Sequence, residues 1–154
     1  MKITDADEAM LPQIAAIERA CFSDPWTLSV LQSQLSPSPG HVFLAALEGG
    51  TVIGYAGLTH VLDEGSITNV AVAPAWRRQG IADALLGELE RRARAPLLKL
   101  AFLTLEVRAG NAPAIALYKK HGYKAVGRRK NYYEKPVEDA LLMTLMLGTE
   151  TWEI

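Results

Sequence analysis

The sequence holds a single cysteine, Cys21, so no disulfide can form within the chain. Cys21 sits among apolar residues at helical spacing and reads as a small buried side chain rather than a nucleophile. The three histidines, His41, His60 and His121, are scattered, and without ligand spacing no metal is expected. No serine, histidine and acid combination stands out, which argues against a covalent acyl-enzyme. An excess of one charge is also missing: 16 lysines and arginines against 17 acids leave a net charge of −1. That balance recruits neither nucleic acid nor a membrane surface. No apolar run approaches the roughly 18 residues of a membrane span. The first residues, MKITDADEAM, are acidic and lack an apolar signal core, so a cytoplasmic protein is expected.

What is present is an ordinary globular composition, 49% hydrophobic and 21% charged over 154 residues. That length suits one domain, burying roughly 70% of its unfolded surface. No repeat or low-complexity linker interrupts it, and "SPSPG" (36–40) is a loop too short for a boundary. A single domain over 1–154 is expected.

Residues 2–4 suit a short edge strand. Leu11, Ile14, Ala15, Ile17 and Cys21 recur at helical spacing, and Pro12 fits only the first turn of that helix. A second short helix spans 27–35. "HVFLAAL" and "TVIGYAGLTH" are strand-like runs joined by "EGG", a hairpin signal. "DEGS" (63–66) reads as the next turn and "SITNVAVA" (66–73) as the strand after it. Residues 80–94 form the clearest helix, with Ile81, Leu85 and Leu89 on one stripe. "LAFLTLEV" is a buried strand. Asn111 caps a further helix running to about His121, with Pro113 in its first turn. "YKAVGRR" and "ALLMTLML" supply two last strands. The order βααβββαβαββ predicts an α/β (α+β) chain with a mixed, mostly antiparallel sheet of six or seven strands and about four flanking helices.

"AWRRQGIADALL" (75–86) raises a question of chemistry. Arg77, Arg78 and Gln79 lead into Gly80 at the mouth of the clearest helix. A helix start exposes unpaired N–H groups and about half a positive charge. A glycine there lets backbone amides approach an anion, Ala82 keeps the next contact small, and two arginines add charge. The segment suits a phosphate or pyrophosphate cradle. Taken alone it also reads as a solvated basic turn whose glycine serves backbone geometry. It is neither a Walker motif nor a dinucleotide-binding fingerprint.

The longer stretch "ITNVAVAPAWRRQGIADALL" resembles the acyl-CoA signature of the GCN5-related N-acetyltransferase (GNAT) superfamily, in which [RQ]-x-x-G-x-[GA] follows a strand ending near a proline. Here it runs Arg77-x-x-Gly80-x-Ala82, with alanine where many members have glycine. "LEVRAGNAPAIALYKKHGY" and "RRKNYYEKPVEDALLMTL" resemble its RimI-type branch, the alanine N-acetyltransferases that modify the N-terminus of a small-subunit ribosomal protein. The likeness covers about residues 3–147. The tail "GTETWEI" (148–154) matches nothing usable.

The resemblance implies acetyl-CoA as cosubstrate and a ribosomal protein's N-terminal segment as acceptor. It implies Glu106 as general base, acting through water, and Tyr118 as proton donor to the leaving thiolate. It places acetyl-CoA on Val70, Ala71 and Val72 through backbone groups freed at a bulge, on Arg77, Arg78, Gln79, Gly80, Ile81, Ala82 and Asp83, and on Asn111. Ile67, Thr68 and Asn69, with Trp26, Tyr132 and Tyr133, are the acceptor-site candidates. Without the resemblance, Glu106 is a solvated strand-end carboxylate and Tyr118 a packing tyrosine. Core packing or exposed stacking explains Trp26, Tyr132 and Tyr133 almost as well. Two alternatives stay open: acetylation of another amine (lysine, polyamine or drug), and a non-catalytic acyl-CoA-binding module. The presence of both Glu106 and Tyr118 argues against the module.

Overall fold

The computed structural model describes residues 1–36 and 38–148, so most of the tail lies outside the described residues. Among them the chain forms seven strands and four α-helices: β1 (Lys2–Asp5), α1 (Leu11–Cys21), α2 (Leu28–Leu35), β2 (His41–Glu48), β3 (Thr51–Val61), β4 (Glu64–Val72), α3 (Ile81–Arg94), β5 (Phe102–Arg108), α4 (Ala112–Lys120), β6 (Lys124–Glu134) and β7 (Val137–Met146). The order is the expected one, and short 3₁₀ turns precede α1 and α3.

The strands run β1-β2-β3-β4-β5-β7-β6 in one sheet. β1–β2, β2–β3, β5–β7 and β6–β7 pair antiparallel. β4 and β5 pair in parallel, Glu64–Ser66 against Phe102–Thr104. The expected mixed, mostly antiparallel sheet is therefore found.

Several strand boundaries differ from expectation, and two have a physical reason. "DEGS" is not the turn: β4 begins at Glu64, and the chain reverses at Leu62 and Asp63, with Leu62 at a positive φ of 55°. A tight reversal needed no glycine, so the turn signal pointed two residues too far along. β6 runs past "YKAVGRR" to Glu134, because the polar residues RKNYYE belong to an exposed strand that apolar patterning cannot mark.

The chain divides into two compact units, Met1–Thr59 with Thr68–Glu90, and His60–Ile67 with the chain from Arg91 onward. In the first, Ile14, Ile17, Leu31, Phe43 and Tyr55 form the core, with Ala71 of β4 among them. Ile81, Leu85 and Leu89, the predicted stripe of α3, are at most 4% exposed. Burying such a side chain contributes about 1.5–3 kcal/mol. In the second unit the buried positions of β5 alternate, Leu103, Leu105 and Val107, as a one-sided strand requires. Tyr118, Tyr123, Ala140 and Met143 are buried in the same unit.

Candidate active site

In the first unit, the loop before α3 is built by backbone geometry. Arg78 and Gly80 take positive φ values of 65° and 76°, a region glycine enters without strain. A Cβ at Gly80 would meet no atom within 4 Å. The glycine is therefore required by conformation rather than packing, and the space beside it is open. Arg77, Arg78, Gln79 and Gly80 are all exposed. The Ala84 N–H donates to the Gly80 carbonyl at 3.0 Å. The amides of Ile81, Ala82 and Asp83 thus precede the helical ladder, at the positive end of the helix dipole. This loop can take an anion. The Ile81 side chain is buried, so only its backbone faces such a ligand.

Arg77 Nη2 lies 3.3 Å from Cys21 Sγ, and the Cys21 thiol donates to the Val72 carbonyl at 3.3 Å. Cys21 was expected buried and is only half-buried. It is the last residue of α1, where the core-facing stripe of the helix gives way to the loop.

Of the β4 candidates, Thr68, Asn69, Val70 and Val72 are half-buried and Ala71 is buried. The Ile67 side chain is 7% exposed and belongs to the interior. Gly65, Ile67 and Ala71 are buried along β4, and its parallel pairing with β5 ends at Ser66. Gly57 makes room beside this segment: a Cβ there would lie 2.6 Å from Thr68 Oγ1 and 3.2 Å from Asn69 Oδ1. Trp26 is half-buried, with its backbone N–H on Glu18 Oε2 at 2.8 Å.

In the second unit, Glu106 projects from β5 to the side opposite Leu105 and Val107, and its side chain is 32% exposed. The Tyr132 hydroxyl hydrogen-bonds this carboxylate; that bond is the main cause that raises the Tyr132 pKa. Arg129 Nε lies 4.0 Å from Glu106 Oε2. Tyr132 and Tyr133 pack edge to face, centroids 5.1 Å apart. Burial first, then the nearby Glu106 charge, pushes the Tyr133 phenol up to about 12.

The reach of Tyr132 follows from an irregularity in β6. Arg129 faces Ala140 and Tyr133 faces Glu138, so β6 carries two more residues than β7 over this stretch. Asn131 takes a positive φ of 53°, which asparagine tolerates better than most residues. Asp139 fastens the bulge, accepting from the Asn131 N–H at 2.9 Å and from Arg128 Nε at 2.7 Å. Those two bonds hold the Asp139 carboxyl below its ordinary pKa. Its neighbour Glu138 accepts from the Gly110 N–H at 2.7 Å and from Arg108 Nη1 at 3.3 Å. "NYY" and "ED" in the sequence are two sides of one clamp.

Asn111 caps α4 as expected, its Oδ1 accepting from the Ala114 N–H at 3.2 Å. Tyr118, two turns on, is 8% exposed and edge to face with Tyr123 at 5.7 Å. Burial first, with Tyr133 second, raises its phenol from 10.0 to about 12.

Reading the sequence missed Glu18, Arg108, Arg129, Glu138 and Asp139. A signal for Glu18 was available. With Ile14, Ile17 and Cys21 it occupies one helical stripe, and a carboxylate on a core stripe needs partners.

The model of the acetyltransferase (GNAT) family matches residues 11–123. The chain belongs to that family. Among GNAT relatives, it is 35% identical over 152 residues to the Escherichia coli (strain K12) protein named ribosomal protein bS18-alanine N-acetyltransferase, covering 95% of this chain and 97% of the relative. It is 36% identical over 135 residues to the Mycobacterium tuberculosis protein named N-alpha-acetyltransferase RimI, covering 84% and 82% of the two chains. The crystal structure of the ribosomal-protein-S18-alanine N-acetyltransferase from Escherichia coli aligns with a TM-score of 0.88 at 32% identity, over 99% of this chain and 97% of that one. The expected GNAT membership and fold are thereby borne out.

Proposed function

We propose that this chain is a single-domain cytoplasmic enzyme that moves the acetyl group of acetyl-CoA to the N-terminal α-amine of alanine on ribosomal protein bS18. The observation that carries the reading is the near full-length match to the Escherichia coli protein of that name. The open, glycine-led helix start supports it as the pyrophosphate cradle, with Arg77, Arg78 and Gln79 and the backbone of 80–83 as its donors. The end of the β4–β5 pairing at Ser66 supports a role for backbone groups of Val70–Val72. N–H groups outside a ladder can hold the pantetheine arm and the oxyanion. Asn111 adds a polar contact to CoA besides its cap.

In this reading the acceptor nitrogen attacks the thioester carbon, its proton passes through water to Glu106, and the C–S bond breaks to release CoA. Glu106 is partly exposed, so water can reach it. Tyr118 is the donor toward the departing sulfur. With its pKa raised to about 12, this phenol is a weaker acid than a thiol, so full transfer to a free thiolate would be uphill. It therefore acts by a hydrogen bond to the developing sulfur charge, with proton transfer late or shared. Trp26, Thr68, Asn69, Tyr132 and Tyr133 contact the first acceptor residues, and Ile67 contributes backbone.

An α-amine near pKa 8 costs about 1.4 kcal/mol to deprotonate at pH 7, against about 4.6 for an ordinary lysine near 10.4. One carboxylate serves the first more easily. The test compares a peptide carrying a free N-terminal alanine with the same peptide blocked at that amine and bearing a free internal lysine. Release of CoA is expected with the first alone. Equal rates would replace this reading with a lysine or small-amine acetyltransferase. Binding of acetyl-CoA with no turnover on any amine would leave a binding module.

A further inference from the structure

Glu18 is a carboxylate at a core position, 3% exposed. Its donors come from three separate segments. The Tyr55 hydroxyl of β3 donates to Oε1. The Trp26 N–H, in the loop between α1 and α2, donates to Oε2 at 2.8 Å. Asn69 Nδ2 of β4 donates to Oε1 at 3.4 Å. Carboxylate oxygens accept, so they suit a ring of donors, and three hydrogen bonds offset the cost of burying them. Tyr55 is fully buried, and burial with this bond drives its phenol far above the ordinary tyrosine pKa.

A core that needed only packing would place a leucine here. Replacing such polar clusters by apolar residues is often neutral or stabilising. What a leucine could not do is tie the Trp26 backbone and the Asn69 side chain to one point. Both belong to the acceptor-site candidates. Asn69 is further fixed by Thr68 Oγ1, which donates to Asn69 Oδ1 at 3.1 Å. Gly57 leaves room for both side chains.

We propose that Glu18 is a positioning residue for the acceptor: it holds the Trp26 loop and Asn69 of β4 in one arrangement and thereby sets affinity for the acceptor N-terminus. The inference rests on the acceptor reading given above. Glu18 itself touches no reacting atom.

The test uses the full chain with acetyl-CoA and a peptide bearing a free N-terminal alanine. Glu18→Ala should raise KM for the peptide about tenfold or more, with KM for acetyl-CoA within about twofold, since a loosened pocket loses orientation. Glu18→Gln keeps one acceptor oxygen and should fall between wild type and Glu18→Ala. Gly57→Ala pushes on Thr68 and Asn69 from another side and should also raise the peptide KM. Amide exchange over residues 22–27 should quicken in Glu18→Ala while the core strands stay protected. If Glu18→Ala does not fold, Tyr55→Phe and Gly57→Ala carry the kinetic test. An unchanged peptide KM in both, or a parallel rise in both KM values, overturns the proposal. Should the wild type ignore the peptide, the proposed function fails instead. Exchange then decides for Glu18: faster opening confined to 22–27 supports it, and no change there overturns it.

Discussion

The guanidinium carbon of Arg108 lies 4.3 Å from the centroid of the Tyr133 ring. The same guanidinium donates to Glu138 at 3.3 Å and to the carbonyls of Pro136 and Lys135 at 2.9 and 3.2 Å. One residue at the end of β5 therefore fastens both the aromatic pair and the turn between β6 and β7. Arg108→Ala should lower kcat/KM for an alanine peptide about tenfold by loosening Tyr132 and Tyr133. Affinity for acetyl-CoA should be unchanged. Arg108→Lys should not restore the rate, because one ammonium cannot both stack on a ring and bond in several directions. Full activity of the lysine variant in steady-state kinetics would refute the role.

Gly80 has φ +76° and open space where a Cβ would go. Gly80→Asp adds left-handed strain of about 1–2 kcal/mol and sets a carboxylate where the phosphates are proposed to bind. Acetyl-CoA affinity should fall at least tenfold, about 1.4 kcal/mol or more. Gly80→Ala, which brings the strain without the charge, should lose less. Calorimetry giving wild-type affinity for a folded Gly80→Asp would move the cradle elsewhere.

Glu106→Gln keeps the shape of the β5 side chain and its contact with Tyr132 but removes the proposed proton acceptor. Turnover at neutral pH should drop roughly a hundredfold, the usual scale of a lost general base, with cofactor binding intact. The deficit should narrow as pH rises through the acceptor amine's own pKa, near 8, where the amine needs no base. A constant deficit from pH 6 to pH 10 would mean that Glu106 orders the site, through Tyr132 and Arg129, rather than taking the proton.

How far the sequence could carry this site depends on the range of the interactions. Helical stripes and strand alternation are local, so α3, β5 and the order of elements were legible. The Asn111 cap was legible because its partner is three residues away. Glu106 stood out only through its family motif, since nothing local distinguishes it from a solvated strand end. The clamps were hidden for a different reason. Arg108 meets Glu138 across 30 positions, and Glu18 meets Asn69 across 51; such pairs exist only once the sheet is assembled. The extra residues in β6 left a trace in Asn131, yet a bulge needs its partner strand to be seen.

Tyr118 supplies the last test, because its pKa separates two pH effects. Burial raises the folded-state value from 10.0 to about 12. A raised pKa contributes stability that is full below pH 10 and is lost as pH climbs toward 12, where the unfolded chain ionises first. The folded enzyme should therefore keep a neutral phenol, and an undiminished rate from this group, up to about pH 11. Below that, kcat/KM should rise with deprotonation of the acceptor and then level. Tyr118→Phe should slow turnover about tenfold or more while leaving the midpoint of that rise in place, because it removes the proposed donor rather than the proposed base. The variant should also resist alkaline unfolding better above pH 10, having no phenol to ionise. The decisive measurement is a pH–rate profile of both proteins. A falling limb with a midpoint near 10, present in the wild type and absent in Tyr118→Phe, would mean that the phenol ionises as if exposed, and the burial argument would fail with it.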